Sequence, residues 1–284
     1  MANLKEIRNR IASVSSTMQI TSAMKMVSAA KLKKAQDAIT AMRPYSDKLT
    51  ELLQNLSATL DSDSGSKFSE QRDVKNVLIV AITSNRGLCG AFNSNIIKQA
   101  TAAASSYDAK VSIVAIGKKA NDALSKNFDV ISNQSAVFDD LTFDNVAAIA
   151  EMLMEQFESK AFDKIEVIYN KFKNAATQEI MTEQFLPIEP LENDTNANLD
   201  YIFEPSKEEI IETLIPKSLK TQLYKSIRDS FASEHGARMT AMHKATDNAT
   251  ELRDQLKLTY NKARQASITN EILEIVGGAE ALNG

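Results

Sequence analysis

"TMQITSAMKMVSAAKLKK" occupies Thr17–Lys34, and how it is read decides the fold. Before it, Leu4, Ile7, Ile11, Val14 and Met18 recur at alternating three- and four-residue steps. After it, Leu32, Ala35, Ile39, Met42, Leu49, Leu53, Leu56 and Leu60 resume in the same register. Such a period predicts a helix whose apolar seam packs against a second helix. Inside the stretch the register lands on Thr21, Lys25 and Ser28, so the seam turns polar and then resumes in phase. Residues 1–60 therefore read as an N-terminal coiled-coil helix. From residue 4 it would be about 85 Å long at 1.5 Å per residue, too long for a compact domain. Pro44 is a point where it can bend.

A partner for that seam lies at the other end of the chain. Residues 207–284 read as helical, with Pro216 near the start. Met242, Ala245, Ala249, Leu252, Leu256, Thr259, Ala263, Ala266, Asn270 and Leu273 form a second heptad-like line. Its small, alanine-rich seam permits close helix approach. Gly277-Gly278 is where this helix is expected to fray. The two helices can meet only by pairing antiparallel.

Between them the period changes. "VKNVLIVAI" (74–82) and "KVSIVAIG" (110–117) are continuous runs rich in β-branched residues, as expected of strands buried on both faces. "NSNIIKQATAAASS" (93–106) and "FDNVAAIAEMLMEQFES" (143–159) read as helices. "KIEVIYNKF" (164–172) and "QEIMTEQFLPI" (178–188) read as later strands forming a hairpin. Residues 73–188 thus form a central Rossmann-like α/β domain. "DSDSGSK" (61–67) and "EPLENDTNANLDYIFEPS" (189–206) read as polar connections. The predicted class is α/β: a long antiparallel two-helix coiled coil, formed by the terminal helices, plus that central domain.

Composition narrows the function classes. The chain has 284 residues, 43% hydrophobic and 25% charged, with a net charge of −4. That balance suits a globular protein and gives no sign of nucleic-acid binding. Residues 1–48 carry nine basic side chains against three acidic ones, so the first helix presents a basic end. This reads either as a solvated face or as a surface for acidic partners. No apolar run reaches the roughly 18 residues of a membrane span. "MANLKEIRNR" has no apolar core of the signal-peptide kind. Cys89 is the only cysteine, so no internal disulfide can form.

Candidate chemistry is sparse. "SNRGLCGAFNSN" (84–95) follows a strand and opens a helix, so its backbone N–H groups could cradle a phosphate. It lacks the Lys-Ser/Thr of a P-loop and the GxGxxG spacing, and a structural turn explains it as well. His235 and His243, eight residues apart, lack metal-ligand spacing and read as helix-surface residues. No catalytic set, metal cluster or cofactor motif stands out.

Three segments together resemble one family, the gamma subunit of the F1Fo ATP synthase. They are "TSAMKMVSAAKLKKAQ" (21–36), "SNRGLCGAFN" (84–93) and "ITNEILEIVGGAEA" (268–281). "ASEHGARMTAMHKATDNA" (232–249) and "YNKARQAS" (260–267) are similar as well. The resemblance implies a non-catalytic central-stalk rotor subunit with no cofactor. Its coiled coil would enter a ring of three alpha and three beta subunits. Its α/β domain would form a foot on the c-ring beside the epsilon subunit, with membrane contact only through the Fo sector. Rotation of the c-ring would then reach the three catalytic beta subunits during proton-driven ATP synthesis or hydrolysis. The implied place is peripheral, on the cytoplasmic face of a bacterial inner membrane.

Residue by residue, the resemblance implies collar or beta-subunit contacts at Met24, Lys25, Arg238, Gln265, Thr269 and Glu271, and foot contacts at Tyr201 and Cys89. It also explains the polar gap. Ile20, Met24 and Val27 lie off the seam and would widen the apolar surface toward the collar. Thr21 and Ser28 would permit close packing, and Lys25 would reach acidic residues. Two other readings of the same residues are a nucleotide-binding or enzymatic α/β domain with a coiled-coil arm, and a coiled-coil scaffold for another assembly.

Overall fold

The structure, a computed structural model, describes residues 4–57, 67–188 and 207–283. Residues 1–3 and 58–60 of the expected first helix, all of the connection read at 61–67 except Lys67, and the connection read at 189–206, with Tyr201, lie outside the described residues. The element order is α1 (Leu4–Ser57), β1 (Asn76–Ile82), α2 (Phe92–Ser106), β2 (Lys110–Ile116), α3 (Lys118–Leu124), β3 (Asp129–Asn133), α4 (Phe143–Glu158), β4 (Lys164–Phe172), β5 (Gln178–Leu186) and α5 (Lys207–Asn283). By their contacts the residues group into two units, one of residues 1–28 with 239–284 and one of residues 29–238. Both α1 and α5 run through both units, and Pro44 and Pro216 sit inside them without ending either helix.

In the first unit the two helices pair antiparallel. Arg8 Nη2 donates to the Tyr260 hydroxyl at 2.8 Å, and Thr21 Oγ1 lies 2.8 Å from Thr246 Oγ1. Lys25 Nζ lies 3.3 Å from His243 Nδ1. Each step forward along α1 thus meets a step backward along α5. The polar gap in the sequence is not a break in the seam: Thr21 and Ser28 are buried, as are Ile7 and Leu32 on either side. Small hydroxyl residues pack there because their Oγ can be satisfied locally. Thr21 reaches the Thr17 carbonyl at 3.0 Å, and Thr246 the Met242 carbonyl at 2.8 Å.

The α5 register differs from the expected one at Leu252, Thr259 and Ala266, and the expected seam positions Asn270 and Leu273 are exposed. Met242 and Ala249 are buried and Leu256 and Ala263 half-buried, as expected. Between them the seam uses Thr246, Arg253, Tyr260 and Ser267, whereas Leu252 is 43% exposed and Thr259 and Ala266 are exposed. Polar tips on the partner helix select this face: Tyr260 takes Arg8, and the Arg253 stem lies across the seam with Nη1 3.4 Å from Met18 Sδ. A second correction concerns Gly277-Gly278, where helix α5 does not fray but continues to Asn283.

The second unit is a five-stranded sheet in the order β3-β2-β1-β4-β5. The first four strands are parallel, and β5 runs antiparallel to β4. The β4–β5 hairpin turns on Asn174, whose Oδ1 accepts from the N–H groups of Ala176 (3.0 Å) and Thr177 (2.8 Å). Strand residues alternate between two cores. On one face Leu78, Val80, Ile82, Val114 and Val167 meet Ile149, Leu153 and Phe157 of α4 and Ile215, Leu219, Leu223 and Ile227 of α5. On the other, Val77, Ile79, Ala81, Ile113 and Ala115 meet Ile96 and Ala100 of α2 and Ala120 and Leu124 of α3. Cover on both faces is why β1 and β2 carry no polar alternation. Each fully buried Leu, Ile or Phe contributes about 1.5–3 kcal/mol.

Helix α4 starts at Thr142, whose side chain accepts from the Asn145 N–H, and buries Val146, Ile149, Ala150, Leu153, Met154 and Phe157 at three- and four-residue spacing. The short α3 and the edge strand β3 were not expected from the sequence. The strands and hairpin expected between 74 and 188, and the helices expected at 93–106 and 143–159, fall within two residues of their observed bounds.

Candidate functional site

The turn after β1 carries the residues that invited a phosphate-binding reading. It is built from side chains rather than around an anion. Asn93, in the first turn of α2, accepts from the Ser84 N–H at 2.9 Å through Oδ1, and its Nδ2 lies 3.2 Å from Cys89 Sγ. Asn85 Oδ1 accepts from the Lys118 N–H, and Asn85 Nδ2 donates to the Ser135 carbonyl, both at 2.9 Å. One asparagine thus fastens three loops at the C-terminal edge of the sheet. Two carbonyls of the turn face a cation. Arg238 Nη2 donates to the carbonyls of Arg86 and Gly87, both at 3.2 Å, while its Nη1 sits 2.6 Å from Glu234 Oε1. A phosphate cradle needs converging N–H groups; this turn directs carbonyls at a guanidinium. Cys89 is buried, and burial pushes its thiol pKa up, the opposite of an activated thiolate.

Arg238 itself is only 7% exposed. The outward arm that the sequence reading expected is turned inward, held by Glu234 one helical turn away and by a loop some 150 residues distant in sequence. Cys89 likewise lies beneath the turn rather than on its surface.

The same stretch of α5 carries further polar groups that the sequence reading passed over. Asp229 is 1% exposed, with Arg43 Nη2 of α1 3.9 Å from its Oδ1. Burial raises its carboxyl pKa, and Arg43 opposes that only in part. Ser233 donates to the Asn170 carbonyl at 3.0 Å. His235, expected on the helix surface, is 4% exposed and packs edge-on against Phe231 with ring centroids 4.5 Å apart. Burial holds its pKa down to about 4, with the Arg238 charge adding to the effect. Buried polar residues on a helix give no period of their own, so only the charge count along α5 could have flagged them.

Because Asp229 is paired at long range and costs desolvation when charged, Asp229→Asn is expected to stabilise the chain by about 1 kcal/mol at pH 7. The sign follows from linkage. The native pKa lies above the unfolded one, so the native state binds its proton first, and any stability tied to that proton is lost as pH rises. The gain from asparagine should therefore shrink once the pH falls through the carboxylate range. Urea unfolding of both chains at pH 7 and pH 4 checks this.

In the first unit, Met24 and Lys25 stand together on α1, both half-buried. Beside them Ile20 is 60% exposed, and Met26 and Val27 are exposed too. Lys25 is held at His243 Nδ1, which also lies 3.3 Å from Asp247 Oδ2. Near the end of α5, Gln265, Thr269 and Glu271 are all exposed, and Thr269 donates to the Gln265 carbonyl one turn back. The apolar residues around them are exposed as well: Ile268, Ile272, Leu273, Ile275 at 72% and Val276. Met24 and Lys25 thus form one group and Gln265 with Thr269 another; Arg238 belongs to neither. Among the described residues no cluster could hold a metal ion, and no helix is long and apolar enough to cross a membrane.

Known proteins match this chain along its whole length. The family model described as ATP synthase matches residues 3–282. The chain is 77% identical to the ATP synthase gamma chain of Flavobacterium psychrophilum and 75% identical to that of Flavobacterium johnsoniae, with 100% of each chain covered. Among solved structures it is similar to a chain of the Tetrahymena thermophila mitochondrial ATP synthase central stalk and c-ring structure. That match has a TM-score of 0.61 at 27% identity, over 80% of this chain and 99% of that one. A chain of the Euglena gracilis mitochondrial ATP synthase shares the fold with a TM-score of 0.70 at 22% identity, over 98% and 94% of the two chains.

Proposed function

Because the chain belongs to the ATP synthase gamma chain family, we propose that it works as the non-catalytic rotor of that enzyme's central stalk. The paired helices (1–60 with 207–284) form the shaft and residues 73–188 the foot. The shaft enters a hexamer of alpha and beta subunits, while the foot sits on the c-ring with the epsilon subunit. The chain is peripheral, on the cytoplasmic face of a bacterial inner membrane, and touches the membrane only through its partners. The carrying observation is the bare apolar end of α5, from Ile268 to Val276. Exposed apolar surface of that extent marks a partner interface.

Met24, Lys25, Gln265, Thr269 and Glu271 are the contacts proposed for the shaft, and Tyr201 for the foot. Arg238 and Cys89 act from within the chain, shaping the surface that their neighbours present. The mechanism needs no chemistry from this chain. A shaft with different side chains on its different faces offers each beta conformer different contacts, and differential binding shifts conformer populations. Driving one conformer from 1:99 to 99:1 takes about 5.5 kcal/mol of such difference, within reach of a few buried apolar side chains.

The test is reconstitution with alpha, beta and the membrane sector. Ile272→Asp combined with Ile275→Asp, both exposed among the described residues, should leave the helix content unchanged. Proton pumping driven by ATP should fall at least tenfold. Full pumping by the double variant would overturn the shaft assignment.

A further inference from the structure

We propose that the glycine turn at residues 84–91 is a hinged element latched to α5 by Arg238, and that Glu234 sets the latch. The turn carries a left-handed leucine and two glycines with open space around them. Leu88 and Gly90 both have positive φ, +63° and +60°, and a side chain at Gly87 or Gly90 would meet nothing within 4 Å. Leucine rarely occupies the left-handed region, so something outside the residue must hold it there. Two groups hold the carbonyls of the two residues before it. Ser84 Oγ donates to the Arg86 carbonyl from within the turn, and Arg238 donates to both the Arg86 and Gly87 carbonyls from α5.

The fork geometry of a guanidinium suits this task. One edge takes the two carbonyls while Nη1 takes Glu234 Oε1, so the carboxylate fixes the plane in which the carbonyls are met. His235 Nδ1 lies 3.4 Å from the same Nη1 and closes the remaining side. A lysine offers no such plane. While the latch is closed, Leu88 stands out 64% exposed at the tip and Cys89 is sealed beneath. With the latch open, the turn would lose the bonds that impose its left-handed residue, Leu88 would withdraw, and Cys89 would become reachable. Any partner that reads Leu88 would thereby sense the position of α5.

Two features of the sequence make the latch measurable in the full-length chain. Cys89 is the only thiol, so its reaction rate with a disulfide reagent reports the turn alone. Arg86 is exposed and its carbonyl is the latched one, so tryptic cleavage after Arg86 requires the latch to open. Cleavage after Lys126, exposed in the segment following α3, serves as the control for general loosening.

Arg238→Gln is expected to raise both the Cys89 reaction rate and the cleavage rate after Arg86 by at least tenfold, with Lys126 cleavage unchanged. Arg238→Lys should fall between. Glu234→Gln, which keeps the arginine but frees its plane, should raise both rates by a smaller factor. If Arg238→Gln left both rates at the wild-type value, or raised them only in proportion to Lys126 cleavage, the latch would be overturned. Should Arg238→Gln fail to fold, Glu234→Gln and Arg238→Lys read the same two rates and decide it: no rise in either variant overturns the proposal.

Discussion

Gly117→Ala should destabilise the chain by about 3–5 kcal/mol, enough to prevent accumulation of folded protein. Gly117 ends β2 and caps α3 with φ +112° and ψ 136°, a region that side-chain-bearing residues avoid. A Cβ there would lie 2.3 Å from the Thr83 carbonyl oxygen and 2.7 Å from its carbon. Neither atom can step aside. Thr83 N–H is bonded to the Ile116 carbonyl at 2.8 Å, and Thr83 Oγ1 accepts from the Ala120 N–H at 2.8 Å, so the ends of β1 and β2 are clamped together. The new methyl must therefore pull apart two central parallel strands or break the cap of α3. Equilibrium urea unfolding, or the yield of soluble chain, measures the loss. A change below about 1 kcal/mol would mean that the strand ends are softer than their bonding implies.

Acid should weaken the protein through His235. Its pKa is held at about 4 by burial, whereas an unburied histidine titrates near 6.5. The group is depressed in the native state, so its contribution is whole above pH 6.5. It is lost as the unfolded chain, but not the native one, takes up a proton on the way down to pH 4. At about 1.4 kcal/mol per unit, that window removes about 3 kcal/mol. His235→Phe keeps an aromatic ring against Phe231 and cannot take a proton, so this particular loss should be absent from it. Asp229 and Glu234 act in the opposite sense, since both carboxyls have raised native pKa values. The quantity to measure is therefore the difference between wild type and His235→Phe across pH 4–7. If that difference did not change with pH, His235 would not be the buried neutral group described here.

Several levels of this structure can be read from the sequence by period alone. Heptad spacing from Leu4 onward is a helix because only a helix places those residues on one side, and the run is too long to be folded into a globule. Continuous β-branched runs at 76–82 and 110–116 are strands covered on both faces, because a half-exposed strand would have to alternate. The hairpin at 164–186 shows as two strand-like runs separated by a short gap. The small edge strand β3 alternates weakly over five residues, and α3 has seven, too short for a period to register.

The site was less legible. An arginine on a heptad helix reads as an outward charge, and nothing in the residues around Arg238 announces that its partners are the carbonyls at 86 and 87. His235 reads as a surface group for the same reason, and Asp229 draws no notice at all: burial depends on what the rest of the chain lays over them. The α5 seam shows the limit most plainly. Leu252 and Arg253, Thr259 and Tyr260, Ala266 and Ser267 are neighbours, and in each pair the first is exposed and the second half-buried. The choice fell to the polar tips, with Thr246 meeting Thr21 and Tyr260 meeting Arg8.

By itself the sequence determined the longer helices and strands, that the two ends pair, and which family's motifs the chain carries, because periodicity and motif are local properties of a chain. Only the tertiary structure decided the order of the strands, the face that α5 turns inward and the bonds of Arg238. Those depend on which distant groups arrive to satisfy a buried charge or hydroxyl, and no local pattern encodes them.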